Sequence, residues 1–340
     1  MAVREGDRLS PVSDPGVRPN PVISVVICAY TEARWESLLA AIASVDGQRD
    51  RTSLEIVVVI DHNEPLLGRL AAAGLDVRLT SNVQAQGLSG ARNSGLQLAT
   101  GQIVAFLDDD AIADPGWLEG LVAAYDDPSV AGAGGPIRPL WETGRPRWWP
   151  EEFDWVVGCT YRGMPEHRAV VRNVIGCNMS FRRDLLERIG GFSHGIGRIG
   201  TRPLGAEETE LSIRLRQRWP DRSIVYEPSA AVDHRVPAGR ATFRYFRSRC
   251  YAEGLSKAAV SKLVGSTDAL ATERSYAVQT LGRALFAALG MAIRGDRAAL
   301  ERAVAIIAGL AITTAGYVVG TVSARPISAV ATEPAGSIET

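Results

Sequence analysis

The stretch Gln102-Ile103-Val104-Ala105-Phe106-Leu107-Asp108-Asp109-Asp110 is an apolar run that stops abruptly in three consecutive carboxylates. Its length and its Gly101 boundary read as a buried strand. Carboxylates at Asp108 and Asp110 repel one another, and burying them together is costly unless a cation or good donors compensate. A hard divalent ion, Mg²⁺ or Mn²⁺, suits such a strand end, because Mg²⁺ takes one or two protein carboxylates together with substrate phosphates. Taken alone, the same residues also describe an acidic surface turn.

Outward from this stretch, residues Val22 to about Asp127 alternate short β-rich runs with helical patterns, the mark of βαβ units and a mainly parallel sheet. Strands are expected at Val22 to Cys28, Leu54 to Ile60, Val77 to Thr80 and Gln102 to Leu107. Helices are expected at Trp35 to Ser44, Leu66 to Ala73, Leu88 to Ala99 and Pro115 to Tyr125. In such α/β sheets ligands sit beyond the carboxyl ends of the strands. That singles out Ala29, Tyr30, Thr31 and Glu32, then Asp61, then Asp108 to Asp110.

With 340 residues, 46% of them hydrophobic, the chain can bury a full core. Its formal net charge of −1 and its lack of any nucleic-acid motif exclude nucleic acid as an expected partner. Cys28, Cys159, Cys177 and Cys250 form no metal or redox spacing and read as reduced, buried thiols of a cytoplasmic protein. Residues 1–20 are polar and proline-bearing, without the apolar core of a secretory signal, and are expected to form a flexible arm. Residues 131–229 are less regular, with a tryptophan-rich segment and one amphipathic helix from Ala206 to Arg218. From Ala241 onward the pattern is helical, and residues 326–340 read as a flexible tail.

Several clusters carry chemistry. The segment from Asn82 to Gly95 joins a strand to a helix start, where Gly87 allows close ligand approach, Arg92 offers planar donors and the helix N-terminus offers free N–H groups. Its spacing is neither a dinucleotide fingerprint nor a P-loop. Glu207 and Glu208 open the amphipathic helix, where helix capping accounts for acids as readily as general-base catalysis does. His234 follows an apolar run and has the chemistry to complete a metal shell, although a lone histidine is more often structural. Arg240, Arg244 and Arg247 recur at helical spacing, a basic face for pyrophosphate or lipid heads, or simply a solvated surface.

In this order the motifs resemble those of family 2 glycosyltransferases of the GT-A fold, in a bacterial, inverting form, over about Val22 to Ser256. Val25 to Glu32 resembles the first strand and nucleotide-binding turn, Ile56 to Asp61 the second strand with its base-recognising aspartate, Ala91-Arg92-Asn93-Ser94-Gly95 the family's helix start, and Leu107 to Asp110 its Asp-x-Asp motif. Gly176 to Arg183 with Ile189-Gly190-Gly191-Phe192 is similar to the acceptor-side segment. Where the family usually carries Glu-Asp, this chain has Glu207-Glu208, which changes the reach of the carboxylate.

The resemblance implies an α/β fold with a mixed, mainly parallel sheet flanked by helices and an apolar helical C-terminal extension. Residues 21–130 would form the nucleotide-sugar-binding half, 131–265 the acceptor-binding half and 266–325 a helical region associated with membrane. It implies a nucleoside diphosphate-sugar donor, a UDP-sugar by expectation, bound by Ala29, Tyr30, Glu32, Asp61, Gly87, Arg92, Asp108 and Asp109. Asp110 and His234 would hold Mg²⁺ or Mn²⁺, Glu208 would act as base, and Asn178, Glu207, Trp148 and Trp149 would face a glycan or lipid-linked acceptor. Transfer would serve cell-envelope glycan or glycolipid assembly. A nucleotidyltransferase and an inactive sugar-nucleotide scaffold are the competing readings.

The run Ala303 to Ala324 holds no charged residue, and its 22 residues would extend about 33 Å as a helix at roughly 1.5 Å per residue. Its Ala, Gly and Thr content makes insertion weak. Tyr276 to Ile293, broken by Arg283, is amphipathic and suited to a surface. Contact with the cytoplasmic face of the cell membrane is therefore expected, with a packed hairpin or a homodimer through these helices as the alternative.

Overall fold

The computed structural model describes residues 22–198, 204–269, 273 and 275–323, and the expected N-terminal arm (1–20) and tail (326–340) lie outside them. The chain order is β1 (Ile23–Ala29), α1 (Trp35–Asp46), β2 (Leu54–Ile60), α2 (Glu64–Ala72), β3 (Arg78–Ser81), α3 (Leu88–Leu98), β4 (Ile103–Asp108), β5 (Ala111–Ala113), α4 (Trp117–Ala124), β6 (Val130–Gly134) and β7 (Ile137–Trp141). Then come β8 (Ala169–Val171), β9 (Asn178–Arg182), α5 (Arg183–Arg188), α6 (Glu207–Arg218), β10 (Ser223–Tyr226), β11 (Val232–Val236), α7 (Phe243–Val264), α8 (Gly282–Ile293) and α9 (Arg297–Val322). Each of the strands and helices expected in the first half forms, with ends shifted by two residues or fewer.

Eight strands make one sheet in the order β3-β2-β1-β4-β9-β6-β10-β8. β1 runs parallel to β2 and β4, and their near-continuous apolar runs are buried on both faces, as a parallel sheet covered by helices requires. β9 inserts antiparallel between β4 and β6, so the two halves share one sheet. A second sheet, β5-β11-β7, lies beyond the end of β4.

Helix α1 buries Leu38, Ala41, Ile42 and Val45, the i, i+3, i+4, i+7 stripe of a helix laid on a sheet. Helix α3 sits closer to the sheet than a side chain would permit, since a Cβ on Gly95 would come within 2.4 Å of Val26 Cγ1. Helix α9 packs along α7 through an equally close crossing, where a Cβ on Gly316 would meet the Tyr251 carbonyl oxygen at 2.2 Å. Only one face of α9 is covered, including Ala299, Ala303, Ala305, Ile306, Gly309 and Gly316, while Val304, Ile307, Val318 and Val322 are exposed.

Candidate active site

Three parallel strands end side by side, and their ends build the site. The backbone N–H of Asp61, just past β2, donates to the Ala29 carbonyl at the end of β1 (2.8 Å), and Cys28 pairs in register with Asp108 at the end of β4. The Asp61 carboxylate is held by Asn82 Nδ2 (2.7 Å), by the Gly87 N–H (3.0 Å) and by His62 Nδ1 (2.9 Å). Gly87 has φ of +127°, in the region glycine tolerates, and this aims its N–H at Asp61 as α3 begins. A small cleft of about 60 Å³ lies between Ala29, Tyr30, Asp61, Asp108 and Asp109. Glu32 is exposed instead, 3.9 Å from Arg69, and lies outside that cleft.

The three acids have different partners. Asp109 accepts from Arg34 Nη1 (2.6 Å), while its Oδ2 is buried with no hydrogen-bond partner. Burial raises the Asp109 carboxyl to about 7 despite Arg34 beside it. Asp110 faces His234 Nε2 (3.0 Å), Arg34 (3.2 Å) and Arg240 (3.3 Å). Burial works against its charge, yet His234, Arg34 and Arg240 outweigh burial and hold it well below the usual carboxylate range. His234 is likewise opposed by burial but raised well above its ordinary value by Asp110. Its other ring nitrogen lies 3.6 Å from Cys159 Sγ.

Arg92 is almost wholly buried, bonded to Glu207 Oε1 (2.5 Å), to the Gly176 carbonyl (2.9 Å) and more distantly to Asp108 (3.4 Å). Its guanidinium is thus already satisfied by protein, where the sequence suggested a donor aimed at a phosphate. The reason is burial: a cation this deep requires an anion at contact, and Glu207 supplies it. Next along α6, Glu208 is partly buried, lines the large cavity and accepts from Thr209 Oγ1 (3.3 Å). Burial and the neighbouring charge of Glu207 push its carboxyl up to about 8.

A cavity of about 860 Å³ connects these groups, lined by Asp108, Asp110, His234, Glu207 and Glu208. Tyr276, Leu281, Leu310, Thr313 and Tyr317 from the C-terminal helices line it as well. Arg172 and Lys257 also line it, both bonded to Glu273 (2.7 Å each).

Other expected residues fall elsewhere. Asn178 is fully buried and spends its side chain on the Ala230 carbonyl (2.8 Å) and on Trp117 Nε1 (2.8 Å). Trp148 and Trp149 pack edge-on to Phe246 in an aromatic cluster and do not line the cavity, whereas Trp155 does. The three arginines do not share one helix. Arg240 sits in a turn before α7, which Thr242 caps through the Tyr245 N–H, and Arg244 and Arg247 are exposed on α7 itself. Sequence reasoning missed Arg34, Cys177 and the Arg172–Lys257–Glu273 cluster. Arg34 alone left a trace, two residues beyond the loop that follows β1.

The donor set fits a divalent ion. Oxygen from Asp108 and nitrogen from His234 lie within 4.8 Å of each other and of Cys177 sulfur, Asp110 adjoins His234, and Asp109 has one buried oxygen to spare.

The chain has relatives among known proteins. The model of the family described as Glycosyl transferase family 2 matches residues 24–190. Over 239 residues the chain is 38% identical to the glucosyl-dolichyl phosphate glucuronosyltransferase of Haloferax volcanii, covering 69% of this chain and 76% of that protein. It is 25% identical over 239 residues to succinoglycan biosynthesis protein ExoM of Rhizobium meliloti, covering 68% and 72%. Among solved structures, the mannosyltransferase PcManGT of Pyrobaculum calidifontis, in complex with GDP-Man and Mn²⁺, superposes with a TM-score of 0.55 at 19% identity, covering 90% of this chain and 91% of that one. GalNAc-T7 with UDP, GalNAc and Mn²⁺ gives 0.50 at 19% identity, and there the chain, of which 74% is matched, spans 55% of the other's length. At such identity the two structures establish the fold alone, which is GT-A.

Proposed function

The chain belongs to glycosyl transferase family 2, and on that premise we propose an inverting enzyme that moves a sugar from a UDP-sugar to a hydroxyl of a lipid-linked acceptor in bacterial cell-envelope assembly. That it is a glycosyltransferase follows from its family and relatives; the donor, stereochemistry and acceptor are our reading. One observation supports it above others: Asp108, Asp110 and Glu208 line a single cavity.

In this reading residues 21–130 carry the donor side and 131–265 the acceptor side. The nucleotide lies against Ala29, Tyr30 and Asp61, with Asp108 and Asp109 toward ribose and diphosphate. Asp110 and His234 would hold Mg²⁺ or Mn²⁺, as suits the Mn²⁺ named with both solved neighbours, and the ion would offset charge on the leaving diphosphate. Glu208, once ionised, takes the proton of the acceptor hydroxyl as its oxygen bonds to the anomeric carbon. The bond to the diphosphate breaks on the opposite face, giving inversion. Arg34 and Arg240, paired with Asp110, fix that carboxylate beside the diphosphate.

The acceptor side favours a lipid phosphate. The relative from Haloferax volcanii is named for glucosyl-dolichyl phosphate. Here the cavity is lined both by the cations of Arg172 and Lys257 and by Leu310, Thr313 and Tyr317 of α9, whose outer face is apolar and exposed. Because α9 packs along α7, the helical extension lies on the cytoplasmic leaflet in this reading, rather than crossing the bilayer. A homodimer through the same face is the competing use.

Incubation of the full chain with labelled UDP-sugars, Mn²⁺ and a short-chain polyprenyl phosphate-sugar tests the proposal. Product of inverted configuration, lost in Glu208→Gln, is expected. Binding of donor without transfer to any acceptor would leave the inactive-scaffold reading standing.

A further inference from the structure

Cys177 stands one residue before β9, and because β9 runs antiparallel to β4 with Asn178 opposite Leu107, the thiol arrives at the strand end that carries Asp108. Strand β11, paired with β5 just past the same acids, brings His234 to the spot. The sulfur of Cys177, a carboxylate oxygen of Asp108 and a ring nitrogen of His234 all lie within 4.8 Å of one another. Closing them onto an ion with bonds of about 2.0–2.3 Å needs shifts on the order of 1 Å. All three also line the large cavity, so an ion can reach them.

The chemistry of this trio differs from that of an all-oxygen site. A thiolate is a poor ligand for Mg²⁺ and a strong one for Zn²⁺ or Cd²⁺, and one sulfur, one nitrogen and one oxygen with an open fourth position make a familiar zinc environment. We propose that Asp108, Cys177 and His234 form a binding site for a thiophilic divalent cation of the Zn²⁺ class, which occupies the ground of the hard ion and excludes it. On binding, the Cys177 thiol and the His234 imidazolium each release a proton to solvent, and the freed sulfur and nitrogen lone pairs form the bonds to the metal. Only the exclusion of the hard ion rests on the donor-site reading above; the binding itself does not.

Titration of the full chain with Cd²⁺ alone, followed by the ultraviolet cadmium–thiolate charge-transfer band, tests it. A saturable band is expected in the parent protein and in Cys28→Ser and Cys159→Ser. In Cys177→Ser the band should vanish and Cd²⁺ affinity fall by at least about tenfold, since even the partners behind a metal ligand are worth that much. Circular dichroism and a metal-free melt establish that the variant is folded. Independently of any variant, Zn²⁺ should slow alkylation of Cys177 in the native protein. A band that survives in Cys177→Ser, or alkylation of Cys177 unaffected by Zn²⁺, overturns the proposal. Thermal stabilisation by UDP with Mn²⁺, measured beside it, separates the two ideas. Its absence with a Cys177-dependent band sinks the donor reading alone, and its presence without such a band sinks this one alone.

Discussion

Arg92 on α3 and Glu207 on α6 meet at 2.5 Å with both side chains almost wholly buried, joining parts of the chain 115 residues apart. Burial alone would oppose the arginine's charge, and Glu207 and Asp108 restore and strengthen it. Breaking such a pair leaves a buried ion uncompensated. Arg92→Met is therefore expected to cost about 3–5 kcal/mol in urea unfolding, and Arg92→Met with Glu207→Met to recover part of it. A single-variant loss below about 1 kcal/mol would mean that the pair behaves like a surface bridge.

Glu208 gives a pH signature. Its carboxyl is raised from 4.5 to about 8 by burial and by Glu207. A base must be ionised, so kcat/KM of the free enzyme should climb with pH toward about 8 and level above it. The stability sign runs opposite: a raised carboxyl favours folding below its unfolded value and loses that contribution as pH rises through the folded one. Glu208→Gln should therefore lower transfer about 10²- to 10⁴-fold, and its melting temperature should gain on the parent's as pH rises above about 4.5, the gain levelling off above about 8. A flat pH–rate profile with unchanged turnover in the variant would remove Glu208 from the base role.

What the sequence disclosed, and what it withheld, follows from range. Strands β1, β2 and β4 were legible because burial on both faces leaves unbroken apolar runs, and Asp61 and Asp108 were legible because they end those runs. The insertion of β9 between β4 and β6 was not, since pairing between strands far apart in sequence leaves no local period. Arg34 was not singled out, because its partner Asp109 lies 75 residues away. The single basic face assumed for Arg240, Arg244 and Arg247 ignored Pro237 and the Thr242 cap, which restart the helix after Arg240. Trp148 and Trp149 resemble pocket-lining residues by type, and only packing assigns them to the core.

Asp110 is the anion that His234, Arg34 and Arg240 share. Its lowered carboxyl contributes stability above the ordinary carboxylate range, lost only as pH falls well below it. Asp110→Asn should destabilise the protein at neutral pH and should abolish stabilisation by UDP with Mn²⁺. In the parent, that stabilisation should be worth about 2.7 kcal/mol at a ligand concentration a hundred times its Kd. Equal ligand-induced shifts in parent and variant would exclude Asp110 from metal binding.

The crossing of α7 and α9 depends on absent side chains. A Cβ at Gly316 would lie 2.2 Å from the Tyr251 carbonyl oxygen, and one at Gly254 would lie 2.1 Å from that of Thr313, both backbone atoms that cannot swing aside. Gly316→Val should cost about 1–3 kcal/mol in thermal unfolding, the usual price of overpacking. Gly282→Ala meets nothing within 4 Å and, standing at the start of α8, should be neutral or slightly stabilising. Equal melting of the two variants would mean that the helices are not held this closely.

The outer face of the helical extension decides where the enzyme works. Two helical segments among the described residues, Tyr276–Ile293 and Arg297–Val322, are long and apolar enough to cross a membrane, and little of either is buried. Phe286 is 78% exposed and Ile293 88% exposed. Removing everything after Ser275 is a poor test, because α9 also walls the cavity through Leu310, Thr313 and Tyr317 and packs on α7. Point charges leave that inner face intact. If the outer face enters the headgroup layer, Phe286→Glu and Ile293→Glu should each weaken sedimentation with anionic vesicles by on the order of tenfold or more, since each such side chain is worth about 1.5–3 kcal/mol when buried. Transfer to a water-soluble, short-chain acceptor should persist in both variants, because neither residue lines the cavity. Unchanged vesicle binding, with loss of a dimer in light scattering, would assign the face to a second copy of the chain instead.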